Sequence, residues 1–210
     1  MELEALMLNS KTTGYMLIMG LVAVIVVIIA IAMQAQDGTA AELVAWAAEN
    51  KDTWQIVVPV NMVANVLLVI FTIGFISWAQ SIDQSGGAIS IGKYLALLAL
   101  VLIWVGDISQ GAGFEAAENN ADAAHSLIGL CRNLTWIGIS TLLGSFFVVG
   151  MTAYIKKVGT PVLNVLLGLI GLVGCIGSFV PGDIGPLFWT AGFAFGMIIM
   201  AIIGVQKVRS

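Results

Sequence analysis

Asp107 and Arg132 stand inside two otherwise apolar runs, YLALLALVLIWVGDISQ and SLIGLCRNLTWIGISTLL. An ionisable side chain in hydrocarbon costs about 2.5–3.5 kcal/mol or more, so each needs a partner or a wet cavity. A guanidinium and a carboxylate can form a bidentate pair that neutralises both. The first reading is therefore a structural clasp that fixes helix register. The functional alternative is a polar pocket for a small solute, an ion or a lipid headgroup, with a proton relay or catalysis as a further role.

Other polar residues accompany them. Asn61 and Asn65 are spaced i, i+4, which places them on one face of a helix. Ser109 and Gln110 follow Asp107, Asn133 adjoins Arg132, and His125 precedes the second run. Glu115, Glu118 and Asp122 are weak candidates for a hard cation, because no EF-hand-like loop accompanies them. With one His there is no bis-His haem site, and there is no HExxH, CxxC, P-loop or strand-linked glycine motif. No lysine lies in the middle of an apolar run, as a retinal Schiff base would require. No catalytic residue, cofactor or metal centre is expected. Cys131 and Cys175 read as two buried thiols, with a disulfide open only if their helices meet.

The elements that position these residues follow from composition. Of 210 residues, 60% are hydrophobic and 10% charged, where a soluble domain carries about 25% charged residues. Mean hydropathy is +1.03. The formal net charge is −4 and the basic residues are scattered, which excludes a nucleic-acid surface. Six apolar runs, near 13–34, 56–80, 90–111, 126–155, 161–180 and 184–205, approach the length that spans a bilayer. They are continuous rather than alternating, so they predict helices and not a barrel. MELEALMLNSK has no basic n-region or cleavage site, and the first helix is expected to be retained.

Charge sets the expected orientation. With the N-terminus inside, inner segments carry Lys11, Lys93, Lys156, Lys157, Lys207 and Arg209, and outer loops carry only Lys51. Asp37, Glu42, Glu49, Asp52, Glu115, Glu118, Asp122 and Asp183 make the outer face negative. The loop 35–55 contains AAELVAWAAENKDTW and predicts a short interfacial helix, with Trp46 and Trp54 at headgroup level. A lid over the bundle is the functional alternative. Asp107 and Arg132 then lie at matching depth, about 8–12 Å below the outer helix ends. Gly168, Gly171, Gly174 and Gly177, with Gly192 and Gly196, suit close helix packing. A GDI repeated at 106–108 and 182–184 is too short to define a transporter repeat.

Two stretches, VNMVANVLLVIFTIGF and AYIKKVGTPVLNVLLGLIG, resemble poorly characterised six-helix bacterial membrane proteins of unknown function. The resemblance implies a fold and no activity. The chain thus reads as an all-α, single-domain, six-transmembrane-helix bundle over 1–210, with both termini cytoplasmic, in a plasma or inner membrane. The expected role is a noncatalytic accessory or structural subunit. Its expected partners are the lipid bilayer and other membrane subunits or copies of itself, with no nucleic acid. The rival is a small-solute or ion carrier with an outward-facing polar pocket between the second, third and fourth segments.

Overall fold

The first helix starts where the sequence offers a cap. Asn9 accepts a hydrogen bond from the Thr12 backbone N–H at 2.8 Å, and α1 runs Ser10–Ala32. The computed structural model describes residues 8–34, 39–84, 86–181 and 184–210. The expectations placed on MELEALM, Asp37, Asp183 and the second GDI fall outside those residues, wholly or in part. Helix α2 is Ala40–Glu49, followed by α3 Lys51–Ile82, α4 Gly87–Ala116 and α5 Ala121–Ile155. Helices α6 Pro161–Gly177 and α7 Ile184–Arg209 complete the chain, and no strand occurs among the described residues.

Five helices, α1, α3, α4, α5 and α7, are long and apolar enough to cross a membrane. Helix α6 has 17 residues, about 25 Å at 1.5 Å per residue, and is shorter than the run 161–180 suggested. Turns through Ser178–Val180 end it, with Val180 N–H donating to the Gly177 carbonyl at 3.0 Å, and Pro181 follows. Elsewhere the helices outrun the apolar segments. Helix α3 begins at 51 rather than 56, α4 ends at 116 rather than 111, and α5 begins at 121 rather than 126. Helix-forming alanines and burial of Phe114, Ala117, Ala124 and Ile128 under α2 extend α4 and α5 beyond the purely hydrophobic stretch.

The six long elements close into a ring. Helix α1 packs on α3 and α7, α3 on α4, α4 on α5, α5 on α6, and α6 on α7. Short connections explain the sequential, antiparallel contacts. The α5–α6 turn is one example: Lys157 (φ 56°) and Gly159 (φ 74°) take left-handed conformations before Pro161 opens α6. The α7–α1 contact that closes the ring is long-range.

The α4–α5 seam has a period of seven. Gly92, Ala99, Gly106 and Gly113 on α4 face Ser145, Gly138, Cys131 and Ala124 on α5. A Cβ at Gly106 would fall 2.7 Å from Thr135 Oγ1 and 3.2 Å from the Cys131 carbonyl oxygen. Small residues let these backbones approach, where van der Waals contact drives association in an apolar solvent. The four glycines of α6, with Gly192 and Gly196 of α7, are also buried inside the bundle.

One end of the ring gathers Lys11, Lys93, Lys156, Lys157, Lys207 and Arg209. Lys156 pairs there with Asp83 at 3.1 Å, and Ser10 Oγ donates to the Lys207 carbonyl at 3.0 Å. Towards this basic end the interior is filled by Phe71, Phe75, Phe146, Leu143, Met197 and Met200. The opposite end carries α2. Large apolar side chains, including Ile25, Ile28, Val101, Ile108, Val173 and Phe195, face outwards. Such a surface suits lipid rather than water.

Helix α2 is the short helix expected in the first outer loop. Trp46 on α2 and Trp54 at the start of α3 pack around Phe114, with ring centroids 5.7 and 6.4 Å away. Leu43, Val44 and Ala47 bury against α4 and α5, so α2 sits on the bundle end. A capping box starts it. Thr39 and Glu42 exchange backbone and side-chain hydrogen bonds. The bond from the Thr39 backbone, then that from its hydroxyl, holds the Glu42 carboxyl below its usual range. The cap is therefore intact above the ordinary carboxylate range and is lost as pH falls through the lowered value.

Candidate functional site

A stack of polar side chains crosses from α1 through α4 to α3. Asn61 Nδ2 donates to Gln110 Oε1 at 3.3 Å, and Gln110 Nε2 donates to Gln34 Oε1 at 3.3 Å. Gln34 Nε2 turns back to the Ala30 carbonyl at 3.4 Å. One helical turn nearer the core, the Asn65 carboxamide lies beside the Asp107 carboxyl. Asn65 is 2% exposed, and its buried Nδ2 has no acceptor within hydrogen-bonding geometry. Helix periodicity makes the two layers: Asn61 and Asn65 are four apart on α3, and Asp107 and Gln110 three apart on α4. Gln34 was missed in the sequence because it closes the first apolar run and reads as a polar boundary. Its signal was a second carboxamide at the same end of the bundle as Gln110.

Arg132 and Asp107 do not form an ion pair. Arg132 is exposed on α5 and has a partner of its own. Both charges lie within electrostatic reach of the Cys131 thiol. The reason is the seam: Gly106 and Cys131 are in backbone contact, so Asp107 and Arg132 both turn off it, each about 100° round its helix. Asp107 turns to α3, where Asn65 is. The clasp expected from the sequence is replaced by a carboxylate–carboxamide pair across α3 and α4. The helix extensions also put Asp107 and Arg132 farther from their helix ends, about 13 and 16 Å, than the apolar runs implied.

The remaining candidates divide. Seven-residue steps place His125, Arg132, Ile139 and Phe146 on one stripe of α5. The last two are buried in the core, so Arg132 stands above it and exposed His125 stands higher, towards the α2 end. Asn133 is exposed and does not join the stack. Ser109 is buried, but its hydroxyl donates to the Val105 carbonyl of its own helix at 2.7 Å. Glu118 pairs with Lys51 at 2.9 Å, while Glu115 and Asp122 are exposed. Among the described residues no three His, Cys, Asp or Glu side chains gather to hold a metal ion. Cys131 is buried, Cys175 half-buried, and both are free thiols.

The carboxamide beside Asp107, that of Asn65, neither takes nor releases a proton at neutral pH. Among the described residues no hydroxyl is hydrogen-bonded to the Asp107 carboxyl. A double-mutant cycle separates the two arrangements. Asp107→Asn with Arg132→Gln should couple by less than about 0.5 kcal/mol in unfolding free energy, whereas Asp107→Asn with Asn65→Ala should exceed that. A strong first coupling would restore the clasp.

Comparison of the chain with protein-family models, with curated proteins and with solved structures finds no match.

Proposed function

We propose that this chain is a noncatalytic, six-span protein of a plasma or inner membrane whose outward-facing polar recess binds a small solute or ion. Both termini are cytoplasmic in this reading. The six cations at one end of the ring, against Lys51 at the other, support that orientation. Helix α6 counts as the sixth span because it closes the ring between α5 and α7, and 17 residues meet the lower limit for a spanning helix.

One observation supports the recess: the Asp107 carboxylate stands beside the buried Asn65 carboxamide in an otherwise apolar bundle. An ionised side chain among apolar helices costs about 2.5–3.5 kcal/mol or more, and a bound solute or ion offsets that cost. The aromatic and methionine packing beyond the recess favours one-sided access over an open channel.

A second reading, an accessory subunit packing on other membrane proteins or on itself, draws support from an apolar groove between α6 and α7. Val173, Gly174, Phe188, Gly192 and Phe195 line its roughly 230 Å³. Cysteines placed at Asn61 and Gln110, in a background without Cys131 and Cys175, decide the first reading. They should react with an impermeant thiol reagent added outside. Complete protection from outside would overturn the recess. Isolation with a stoichiometric membrane partner would favour the second reading, and a solute-binding monomer the first.

A further inference from the structure

We infer that the basic end of the bundle holds an anionic phospholipid, with its phosphate between Lys11 of α1 and Arg209 of α7. The site lies at the end opposite the polar recess and is independent of it. Gly14 and Gly204 bring the two helices into backbone contact there. A Cβ at Gly14 would fall 2.5 Å from the Gly204 carbonyl oxygen, and one at Gly204 would fall 2.6 Å from that of Gly14. Contact so close fixes how each helix is rotated about the seam. A turn of about 100° per residue then carries Lys11 and Arg209 to one side of the seam and Lys207 to the other. The helix ends meet as well: the hydroxyls of Ser10 and Ser210, the chain neighbours of Lys11 and Arg209, are 3.1 Å apart.

The side shared by Lys11 and Arg209 faces outwards. On α1, exposed Lys11 heads a stripe continued at helical spacing by Tyr15, Val22, Ile25 and Ile29, all exposed. Exposed Arg209 ends the matching stripe of α7, after Phe195, Ile198, Ile202 and Val205. Two stripes on neighbouring helices thus run through the apolar surface, and each ends in a cation at the basic end. A phospholipid has the same order of chemistry, with acyl chains for the stripes and a phosphate for their end. Tyr15, one turn inside Lys11, stands at the headgroup boundary, where amphipathic rings gather.

Charge selects the headgroup. Among the described residues no carboxylate lies within ion-pairing distance of Lys11 or Arg209, whereas Lys156 at the same end has Asp83. Arg209 can hold a phosphate through two parallel N–H···O bonds, and Lys11 adds a compact point charge. A zwitterionic headgroup sets its own cation against these two. Phosphatidylglycerol brings only the negative charge. An acidic peptide in water would meet the two cations and leave the apolar stripes uncovered.

Thermal unfolding of the full chain in mild detergent, titrated with phosphatidylglycerol, phosphatidylcholine or inorganic phosphate, tests the site. Phosphatidylglycerol should raise the midpoint saturably, and the other two should not at the same concentration. A cation beside an anionic headgroup contributes about fivefold in affinity. Lys11→Gln and Arg209→Gln should therefore each raise the half-saturating concentration about fivefold, and together about 25-fold. Lys93→Gln is the control. Its helix, α4, touches neither α1 nor α7, so the value should change by less than about twofold. Should Lys11→Gln fail to fold, Arg209→Gln, at the exposed end of α7, decides alone. An equal response to phosphatidylcholine or to inorganic phosphate overturns the inference, as does no response to phosphatidylglycerol. An undiminished response in Arg209→Gln overturns it too. So does a loss in Lys93→Gln as large as in Arg209→Gln, since the whole basic end would then attract lipid diffusely.

Discussion

Replacement of Phe146 by alanine is expected to lower the unfolding free energy by about 3–5 kcal/mol, the range for large aromatic truncations in a packed core. Phe146 is fully buried where the ring's interior is densest. It meets Phe71 edge-on at 6.2 Å between centroids and Phe75 at 5.6 Å. Such aromatic pairs add about 0.5–1.5 kcal/mol each beyond the area they bury. Its ring also covers Gly196, where a Cβ would lie 2.6 Å from Phe146 Cε2. Helices α3, α5 and α7 thus converge on one side chain, and the cavity left by alanine has no flexible neighbour on the Gly196 side to fill it. Leu187→Ala is the control: Leu187 is 67% exposed, and its loss should stay within about 0.5 kcal/mol. Unfolding in detergent, followed by loss of helicity, reads both. Equal losses would mean that the ring interior is not packed around Phe146.

Two glycine-to-alanine changes should act in opposite directions. A Cβ at Gly171 would fall 2.5 Å from both the Leu143 carbonyl oxygen and the Phe147 nitrogen. Those are backbone atoms of α5, so no rotamer change relieves the clash. A little farther along, a Cβ at Gly150 would lie 2.8 Å from the Gly168 nitrogen, so the α5–α6 contact must open as a unit. Gly171→Ala should destabilise by about 1–3 kcal/mol, as overpacked cores do. Gly129, on α5, has nothing within 4 Å of its would-be Cβ. There the same change should stabilise by up to about 1 kcal/mol through helix propensity. The difference in sign, measured under one set of conditions, tests whether close backbone approach holds α6 in the ring. A neutral Gly171→Ala would sink that claim.

The period-seven seam between α4 and α5 was present in the sequence as Gly92, Ala99, Gly106 and Gly113 against Ala124, Cys131, Gly138 and Ser145. It was hidden because alanine, cysteine and serine also read as ordinary membrane-helix residues. The GxxxG and every-third-glycine patterns were easier to see, and they are buried in the bundle as their composition suggested. The polar stack was half legible. Asn61, Asn65, Asp107 and Gln110 do converge, because their spacing places each pair on one helical face. Arg132, Asn133 and His125 do not join it, since membership depends on how α5 is rotated against α4.

By itself the sequence determined the helical class, the apolar segments and the gathering of basic residues at one end. Each follows from local composition, which decides what a segment can bury and where charge can be solvated. Only the tertiary structure decided that α7 returns to α1, that α2 covers the bundle end, and that Asp107 turns to Asn65 rather than to Arg132. Those outcomes depend on helix rotation. Rotation is set by which small residues allow two backbones to touch, and a contact between distant segments leaves no mark in the hydropathy of either one.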